Sequence, residues 1–179
     1  MKESALSVAN YFVQKSLDDN KDLKPLKLMK LVYIAHGYML ALLDRSVFNP
    51  RFDKVEAWKL GPVVPSVYHS FKMYGNSPIL KLTGALQGAR IVDGNMVADY
   101  IEPILKDKEA IRVCDYVWYR YGTQYNDSTL VSLLHRQGSP WATVYEEGKN
   151  NIIPDEFTKA YYKLLVDTII ANRKKQENG

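Results

Sequence analysis

The chain is poor in the residues from which most metal sites and many catalytic sites are built. Its 179 residues include one cysteine, Cys114, and three histidines, His36, His69 and His135. A single cysteine excludes an internal disulfide framework and suits a reducing compartment. Cys114 lies among apolar residues of a predicted helix, which is the setting of a buried, inert thiol. No two histidines or cysteines have the spacing of metal ligands, so we predict no metal and no cofactor.

Short catalytic motifs are missing as well. Ser66 and His69 share one face of a predicted helix, but no G-x-S-x-G turn surrounds the serine. The glycines in the segment 84–88 are not followed by the Lys-Ser/Thr ending of a phosphate-binding loop. The acidic pairs at 18–19 and 146–147 are neighbours in sequence, and such neighbours point apart on a helix. The sequence therefore argues against an enzyme.

A strong charge of either sign is also absent. The chain has 24 basic and 20 acidic residues, a net charge of +4, and the basic residues are dispersed, which argues against nucleic acid as the main partner. Base stacking on the tyrosine-rich stretch 116–125 with Arg112 and Arg120 stays open. The start of the chain does not resemble a signal peptide. The longest apolar stretch carries Lys27, Lys30 and His36, so we predict no membrane span and a cytoplasmic protein.

Helical patterns dominate what is present. Apolar periodicity and capping residues predict helices near 5–17, 25–43, 65–74, 107–121, 127–136, 140–147 and 154–171. The second helix is apolar on several faces, so we expect it at the centre, with Lys27 and Lys30 reaching solvent from its first turns. Strands are predicted at 52–58 and within 79–104, where Asp93-Gly94 is a hairpin turn. The predicted fold is mainly α, a single compact multi-helix domain over 1–179 with a small β element and a frayed basic tail at 172–179.

Two stretches combine rigid and aromatic residues at unusual density. The first runs from Glu56 to Tyr68 and contains the signature residues Trp58, Gly61, Pro62 and Pro65. We interpret it as a rigid corner, with a strand before Gly61-Pro62 and a helix beginning at Pro65. The second stretch contains Gly138, Pro140 and Trp141. Rigid segments of this kind either stabilise a core or present an ordered surface to a partner.

Three blocks of the sequence resemble the Panacea domain of the SocA-like antitoxin family, which is also met as a phage-associated protein family. The blocks are LKLMKLVYIAHGY at 26–38, EAWKLGPVVP at 56–65 and HRQGSPW at 135–141. Their spacing is similar to that of the family, as is the ending IIPDE at 152–156. The resemblance runs from about residue 5 to 162, and its most specific part is the Trp-Lys-x-Gly-Pro block followed by Ser-Pro-Trp.

The resemblance implies an antitoxin that neutralises a cognate toxin by direct protein–protein binding, the toxin being encoded beside it. It also leaves alternatives: a proteolytic adaptor that delivers the toxin to a AAA+ protease, a phage- or prophage-associated interaction protein, or a nucleic-acid-binding regulator. Many members carry an extra DNA-binding segment, which we do not expect here because the first helix begins at about Ala5. The family supplies no catalytic residues. The oligomeric state and the order of residues 82–100 without a partner stay open.

The toxin-binding surface is predicted from the two signature stretches. We expect their loops to lie close together with Trp58 and Trp141 beneath them, and the alternative is that both rings serve the core alone. The predicted toxin-binding side chains are neighbours of those loops. They are Lys59, Tyr68, Lys72 and Arg136.

Overall fold

The second helix, α2 (Pro25–Leu43), lies at the centre of the fold. Pro25 occupies its first position, where a proline removes no hydrogen bond, and 14 of its 19 residues are buried. Our structure, a computed structural model, describes residues 3–177. In that range the fold is mainly α with two small antiparallel hairpins, and this confirms the predicted fold class.

The remaining elements follow in chain order. The helices are α1 (Ala5–Asp18), α3 (Pro65–Phe71), α4 (Lys108–Val117), α5 (Asp127–Leu134), α6 (Pro140–Val144) and α7 (Asp155–Glu177). The strands are β1 (Glu56–Trp58), β2 (Gly61–Val63), β3 (Ala85–Val92) and β4 (Asn95–Ile101). A 3₁₀ turn (Lys72–Tyr74) follows α3, and a π turn (Trp118–Gly122) follows α4.

Helix α2 is also the one described helix whose length and composition alone would let it cross a membrane. Of its most apolar 18-residue window, 72% is buried inside the protein. Helices α1, α4, α5 and α7 pack around it, and its apolar faces contribute to a core shared by these helices.

Helix α7 packs on α2 at a point where α2 has no side chain. Any Cβ at Gly37 would collide with the ring of Tyr162, which is buried. Next to this contact, His36 Nε2 lies 3.0 Å from the Asp155 carboxylate at the start of α7. The sequence prediction ended this helix near Ala171, but the structure continues it to Glu177. Residues 172–177 are therefore helical, and their side chains are exposed; the last two residues of the predicted frayed tail lie outside the described range.

Strands β1 and β2 form a tight hairpin, which corrects the predicted corner. Trp58 pairs with Gly61 and Glu56 with Val63, so Lys59 and Leu60 form the turn, and Gly61-Pro62 belongs to a strand rather than to a break between strand and helix. The other edge of β1 is paired too, because the Ala57 N–H donates to the Asn151 carbonyl at 2.8 Å. Pro65 does begin the next helix, as predicted.

The strand predicted from residue 52 is shorter than expected because Asp53 takes an inward position. Its carboxylate accepts hydrogen bonds from the Ala5 N–H at 2.9 Å, the Asn49 N–H at 2.9 Å and the Ser66 hydroxyl at 3.0 Å. These donors come from three separate segments. Phe52, the first residue of the predicted strand, is 65% exposed.

Strands β3 and β4 form a second hairpin that projects from the helical body. Asp93 and Gly94 at its turn have φ angles of 50° and 79°, which confirms the predicted hairpin dipeptide. At its base, the Asn10 side chain donates to the carbonyls of Thr83 and Pro103, at 2.9 and 3.1 Å, and accepts from the Thr83 N–H. No residue of the two strands belongs to the described core or packs against it.

The pairing register of this hairpin places its four most exposed apolar side chains on one face. Leu86 pairs with Tyr100 and Ile91 with Met96, and these four side chains are 62–81% exposed. The Ala89–Ala98 pair lies between them. The opposite face carries the Arg90–Asp99 ion pair at 3.1 Å together with Val92, Val97 and Ile101.

The tyrosine-rich stretch does not continue α4 as a regular helix. Helix α4 ends at Val117, and the π turn after it brings Trp118 and Tyr121 into the core while Tyr119 stays 68% exposed. The Trp118 indole donates to the Asp19 carboxylate at 2.6 Å. Cys114 is fully buried, as predicted, and burial raises the pKa of its thiol.

Candidate functional site

The two signature loops touch each other. The Trp141 indole N–H donates to the Trp58 carbonyl at 2.8 Å, so the start of α6 is attached to the β1–β2 hairpin. The imidazole of His135 lies flat against the Trp141 ring, with 3.7 Å between centroids, and Tyr145 stacks beside it at 4.4 Å. Trp58 is half-buried and Trp141 is buried.

The Ser-Pro-Trp sequence explains how Trp141 is placed. The Ser139 hydroxyl accepts from the Ala142 N–H at 3.1 Å and donates to the Leu134 carbonyl at 2.8 Å. It therefore caps α6 and attaches it to the end of α5. Pro140 occupies the first position of α6, and Gly138 before it has a φ of 79°, which favours glycine.

A buried lysine lies beneath the hairpin, contrary to the prediction that the charged residues of α2 reach solvent. Lys30 is 0% exposed, and its ammonium donates to the Pro62 carbonyl at 3.2 Å. A Cβ at Gly61 would lie 2.9 Å from Lys30 Nζ and 3.3 Å from His135 Nε2, and Gly61 has a φ of 108°. Glycine is thus required both by the backbone angle and by the close approach of two side chains.

Burial lowers the pKa values of both Lys30 and His135. Removal from water lowers the pKa of Lys30 to about 7, since its partner is a neutral carbonyl rather than a carboxylate. Burial, and then the charge of Lys30, lowers the pKa of His135. His135 Nε2 is buried without a hydrogen-bond partner among residues 3–177. Lys30 and His135 are the residues of this site that sequence reasoning missed.

A signal for Lys30 was present in the sequence. On a helix, the neighbours of residue 30 at three and four positions are Leu26, Lys27, Tyr33 and Ile34, and only Lys27 is charged. A lysine on such a face is expected to be buried along with it unless its chain extends to the edge. Lys30 donates to the Pro62 carbonyl of the hairpin, however, and no local sequence pattern predicts that contact.

Three of the four predicted toxin-binding residues line one groove. Lys59, Tyr68 and Lys72 lie around a cavity of about 520 Å³ between the first turns of α2, the β1–β2 hairpin and the end of α3. Its walls include Met29 and the turn residue Leu60, which is 54% exposed. We refer to this cavity as the hairpin groove.

The hairpin groove is basic and has a rigid aromatic wall. Its lining includes Lys30, Lys59 and Lys72 and no aspartate or glutamate. Lys59 and Lys72 are exposed and form no ion pair within the described residues. The Trp58 ring meets Tyr68 edge to face at 4.8 Å between centroids, and its indole donates to Glu56 at 2.7 Å.

Arg136, the fourth predicted residue, lies at a different cavity. That cavity measures about 340 Å³ and is bounded by α2, the π turn, the end of α5 and α7. It also contains Arg120 and Arg173. The structure therefore does not bring the four predicted residues together on one surface.

The described residues contain no group of three or more His, Cys, Asp or Glu side chains arranged to hold a metal ion. The buried polar groups of the hairpin region instead serve packing: Lys30, His135 and Ser139 each contact backbone or rings of the two loops. The chemistry available at the surface of this region is that of apolar contact and positive charge.

Comparison with known proteins identifies a family match over most of the chain. The family model "Antitoxin SocA-like, Panacea domain" matches residues 28–142, a range that includes both loops and all of the groove lining except Pro25 and Leu26. The chain is also 31% identical over 143 residues to "Antitoxin SocA" of Caulobacter vibrioides, covering 78% of this chain and 69% of that protein. No solved structure matches the chain.

Proposed function

Because the chain belongs to the family of SocA-like antitoxins with a Panacea domain, we propose that it is an antitoxin that neutralises a cognate toxin by binding it directly in the hairpin groove. The observation that carries the proposal is this membership, which implies a toxin partner. The cytoplasm is the proposed location, in keeping with a single, buried cysteine.

The hairpin groove supports the choice of surface because it is concave and ordered before binding and combines apolar walls with the exposed lysines Lys59 and Lys72. Leu60 stands at the turn of a hairpin whose backbone is attached to α2, to α6 and to residues 151–153. A loop held in this way loses little conformational entropy when a partner binds. Interfaces use such exposed apolar side chains, surrounded by polar ones, as anchors.

Charge identifies the kind of toxin surface that fits. Exposed basic side chains elsewhere on the molecule differ in whether they lie beside carboxylates. Lys81 and Lys106 form no ion pair among the described residues, whereas Arg45 lies beside the carboxylates of Asp107 and Glu109 at 2.6 and 2.7 Å. Lys59 and Lys72 have no such partner among the described residues. A toxin segment with an apolar side chain between carboxylates complements this rim, since opposite charges speed association and select partners.

The test is toxin neutralisation in cells that co-express the product of the neighbouring gene. We expect wild-type protein to restore growth and to co-purify with that product, and Leu60→Asp to lose both while keeping its melting temperature. Leu164→Asp is the matched control, because Leu164 is 68% exposed on α7. Failure of the wild-type protein to protect the cells would exclude the antitoxin assignment for this gene pair.

Reversing the charges of Lys59 and Lys72 tests the electrostatic part of the proposal separately from the apolar contact of Leu60. Lys59→Glu with Lys72→Glu should weaken toxin binding about tenfold or more, whereas Lys81→Glu with Lys106→Glu makes the same change of net charge at exposed positions outside the groove. If Leu60→Asp loses toxin binding but the Lys59→Glu, Lys72→Glu variant does not, the toxin binds in the groove and its contacting segment is not acidic. A toxin that disappears from cells when the wild-type protein is present would point to proteolytic delivery instead of direct neutralisation.

A further inference from the structure

The cavity at Arg136 has a composition that the proposed toxin site does not use. Arg120, Arg136 and Arg173 come from the π turn, the loop after α5 and the last part of α7, and they meet at one cavity of about 340 Å³. They are three of the seven arginines in the chain. We refer to this cavity as the arginine cavity.

No negative charge balances these arginines. The lining of the arginine cavity contains no aspartate or glutamate, and none of the three guanidinium groups forms an ion pair within residues 3–177. Arg45 and Arg90 lie beside carboxylates, whereas Arg51 and Arg112 also form no ion pair within the described residues. What distinguishes the other three arginines is that they line one cavity. Three like charges around one small volume repel one another, so an anion entering the cavity is favoured.

The rest of the wall consists of tyrosines and of aliphatic side chains, which are Ile34, Leu133, Leu134, Leu165 and Ile169. Tyr116, Tyr121, Tyr125 and Tyr161 line the cavity, and Tyr116, Tyr125 and Tyr161 are half-buried, so part of each ring is accessible. The Arg120 guanidinium lies 5.7 Å from the centroid of Tyr125 and donates to its hydroxyl at 3.1 Å. This contact holds one guanidinium in place at the wall.

We propose that the arginine cavity binds a mononucleotide, with its phosphate on the arginines and its base against the tyrosine rings. Guanidinium groups match the oxygens of a phosphate in pairs of hydrogen bonds and stay charged at every physiological pH. Tyrosine rings stack on any base without regard to its identity. The volume is in the range of small-molecule sites, and walls on several sides suit a compact ligand better than a protein segment.

The proposal is independent of the toxin site. On α2 the hairpin groove extends from Pro25 to Lys30, whereas the arginine cavity contacts Ile34, about one turn beyond Lys30, and the two cavities share no lining residue. Binding of a nucleotide can therefore be measured on the antitoxin alone, whatever the toxin is.

The experiment is calorimetric titration of the full chain with AMP, ATP, GTP and inorganic phosphate, together with the thermal shift each produces. The informative variant is Arg136→Gln with Arg173→Gln, because both side chains are exposed and make no hydrogen bond in the described structure. Arg112→Gln is the matched control, an exposed arginine outside the cavity. We expect a nucleotide to bind the wild type and the control alike, and the double variant to lose about tenfold or more for each arginine.

Four results would overturn the assignment. They are no binding of any nucleotide, equal binding by the wild type and the double variant, inorganic phosphate binding as tightly as the nucleotides, and a 5′-phosphorylated oligonucleotide binding more tightly than the mononucleotide. Loss of toxin binding in the double variant without any nucleotide binding by the wild type would assign the cavity to the toxin interface instead.

Discussion

At the scale of single residues, the least expected feature is a lysine inside the protein at the point where the signature hairpin meets the central helix. A buried ammonium is costly unless it is paired, and Lys30 has only the Pro62 carbonyl at 3.2 Å. The lysine therefore links stability to pH, with a sign that follows from its pKa.

Stability should rise with pH above neutrality because of Lys30. Its pKa is about 7 in the folded protein and 10.5 in an unfolded chain, so between these values the unfolded chain holds a proton that the folded protein has released. Between pH 7 and 10.5 the free energy of unfolding therefore rises by up to about 1.4 kcal/mol per pH unit because of this group. Below pH 7 the lysine is charged in both states, and its burial lowers the stability of the folded protein.

Lys30→Met tests this by chemical denaturation at intervals from pH 7 to 9. The difference in unfolding free energy between wild type and variant should shift steadily in favour of the wild type as the pH rises. Lys21→Met, at an exposed position, should follow the wild type throughout. Parallel curves for wild type and Lys30→Met would show that Lys30 keeps an ordinary pKa.

Gly61 gives a second prediction at this scale. Alanine there must adopt a φ of 108° and place its Cβ 2.9 Å from Lys30 Nζ, so we expect a loss of stability of about 1–3 kcal/mol. Gly138→Ala is the matched control, because Gly138 also has a positive φ but no atom within 4 Å of the added Cβ. Urea denaturation should show a larger loss for Gly61→Ala than for Gly138→Ala, and equal losses would mean that Lys30 moves aside freely.

At the scale of elements, the two hairpins have opposite relations to the rest of the protein. The β1–β2 hairpin is attached through Pro62, Trp58 and Ala57 to three other segments. The β3–β4 hairpin is held at its base by Asn10 and exposes an apolar face. Two-stranded hairpins have little stability by themselves, so this one contributes little to the fold.

Replacement of residues 86–100 by a short Gly-Ser linker should therefore leave the domain folded. We expect a melting temperature within a few degrees of the wild type, since Thr83 and Pro103 keep their bonds to Asn10 and no core side chain is lost. Binding of the dye ANS should fall, because the exposed Leu86, Ile91, Met96 and Tyr100 are removed or replaced. Unfolding of the shortened protein would show that the hairpin packs on the body in solution.

At the scale of the whole molecule, one core connects the ends of the chain. Phe12 of α1 stacks with Trp118 at 6.5 Å between centroids, and Tyr162 of α7 meets Tyr38 of α2 at 5.1 Å. Elements from both ends thus share α2 as their common support. A core without an internal boundary is expected to unfold in a single step.

Thermal unfolding should accordingly show one transition. Far-UV circular dichroism follows the helices, while tryptophan fluorescence reports on Trp58 and Trp141 at the two loops and on Trp118 in the helical core. The two signals should change at the same temperature, and the calorimetric enthalpy should equal the van't Hoff enthalpy. Two separated transitions would divide the chain into independent units and contradict the predicted single domain.

The sequence predicted local features better than contacts between distant segments. The central helix, the helix starts at Pro25, Pro65 and Pro140, and the Asp93-Gly94 turn follow from short-range patterns, and the structure confirms them. The strand at 52–58 was too long because the Asp53 carboxylate accepts hydrogen bonds from Ala5 and Ser66, which are remote in sequence, as well as from the nearby Asn49 N–H. Such partners leave no trace in periodicity.

The candidate site was predictable to the same degree. Lys59, Tyr68 and Lys72 lie near one another in sequence and share a groove. Arg136 was grouped with them because its loop touches the hairpin, which it does through Trp141. The Arg136 side chain lies at the arginine cavity instead. Its position depends on how α5 and α7 pack in three dimensions, which the local sequence does not predict.

Within the four residues 58–61 of the hairpin turn, two positions are constrained by the structure and two are free to change. Gly61 is fixed by its φ angle and by Lys30 beneath it, and Trp58 by its carbonyl bond to Trp141. Lys59 and Leu60 between them are exposed, and replacement of such surface residues usually changes stability by no more than about 0.5 kcal/mol. Mutations at these two positions can therefore accumulate in a lineage without loss of the fold, and a new partner can be acquired by changing the side chains of a turn whose backbone stays where it is.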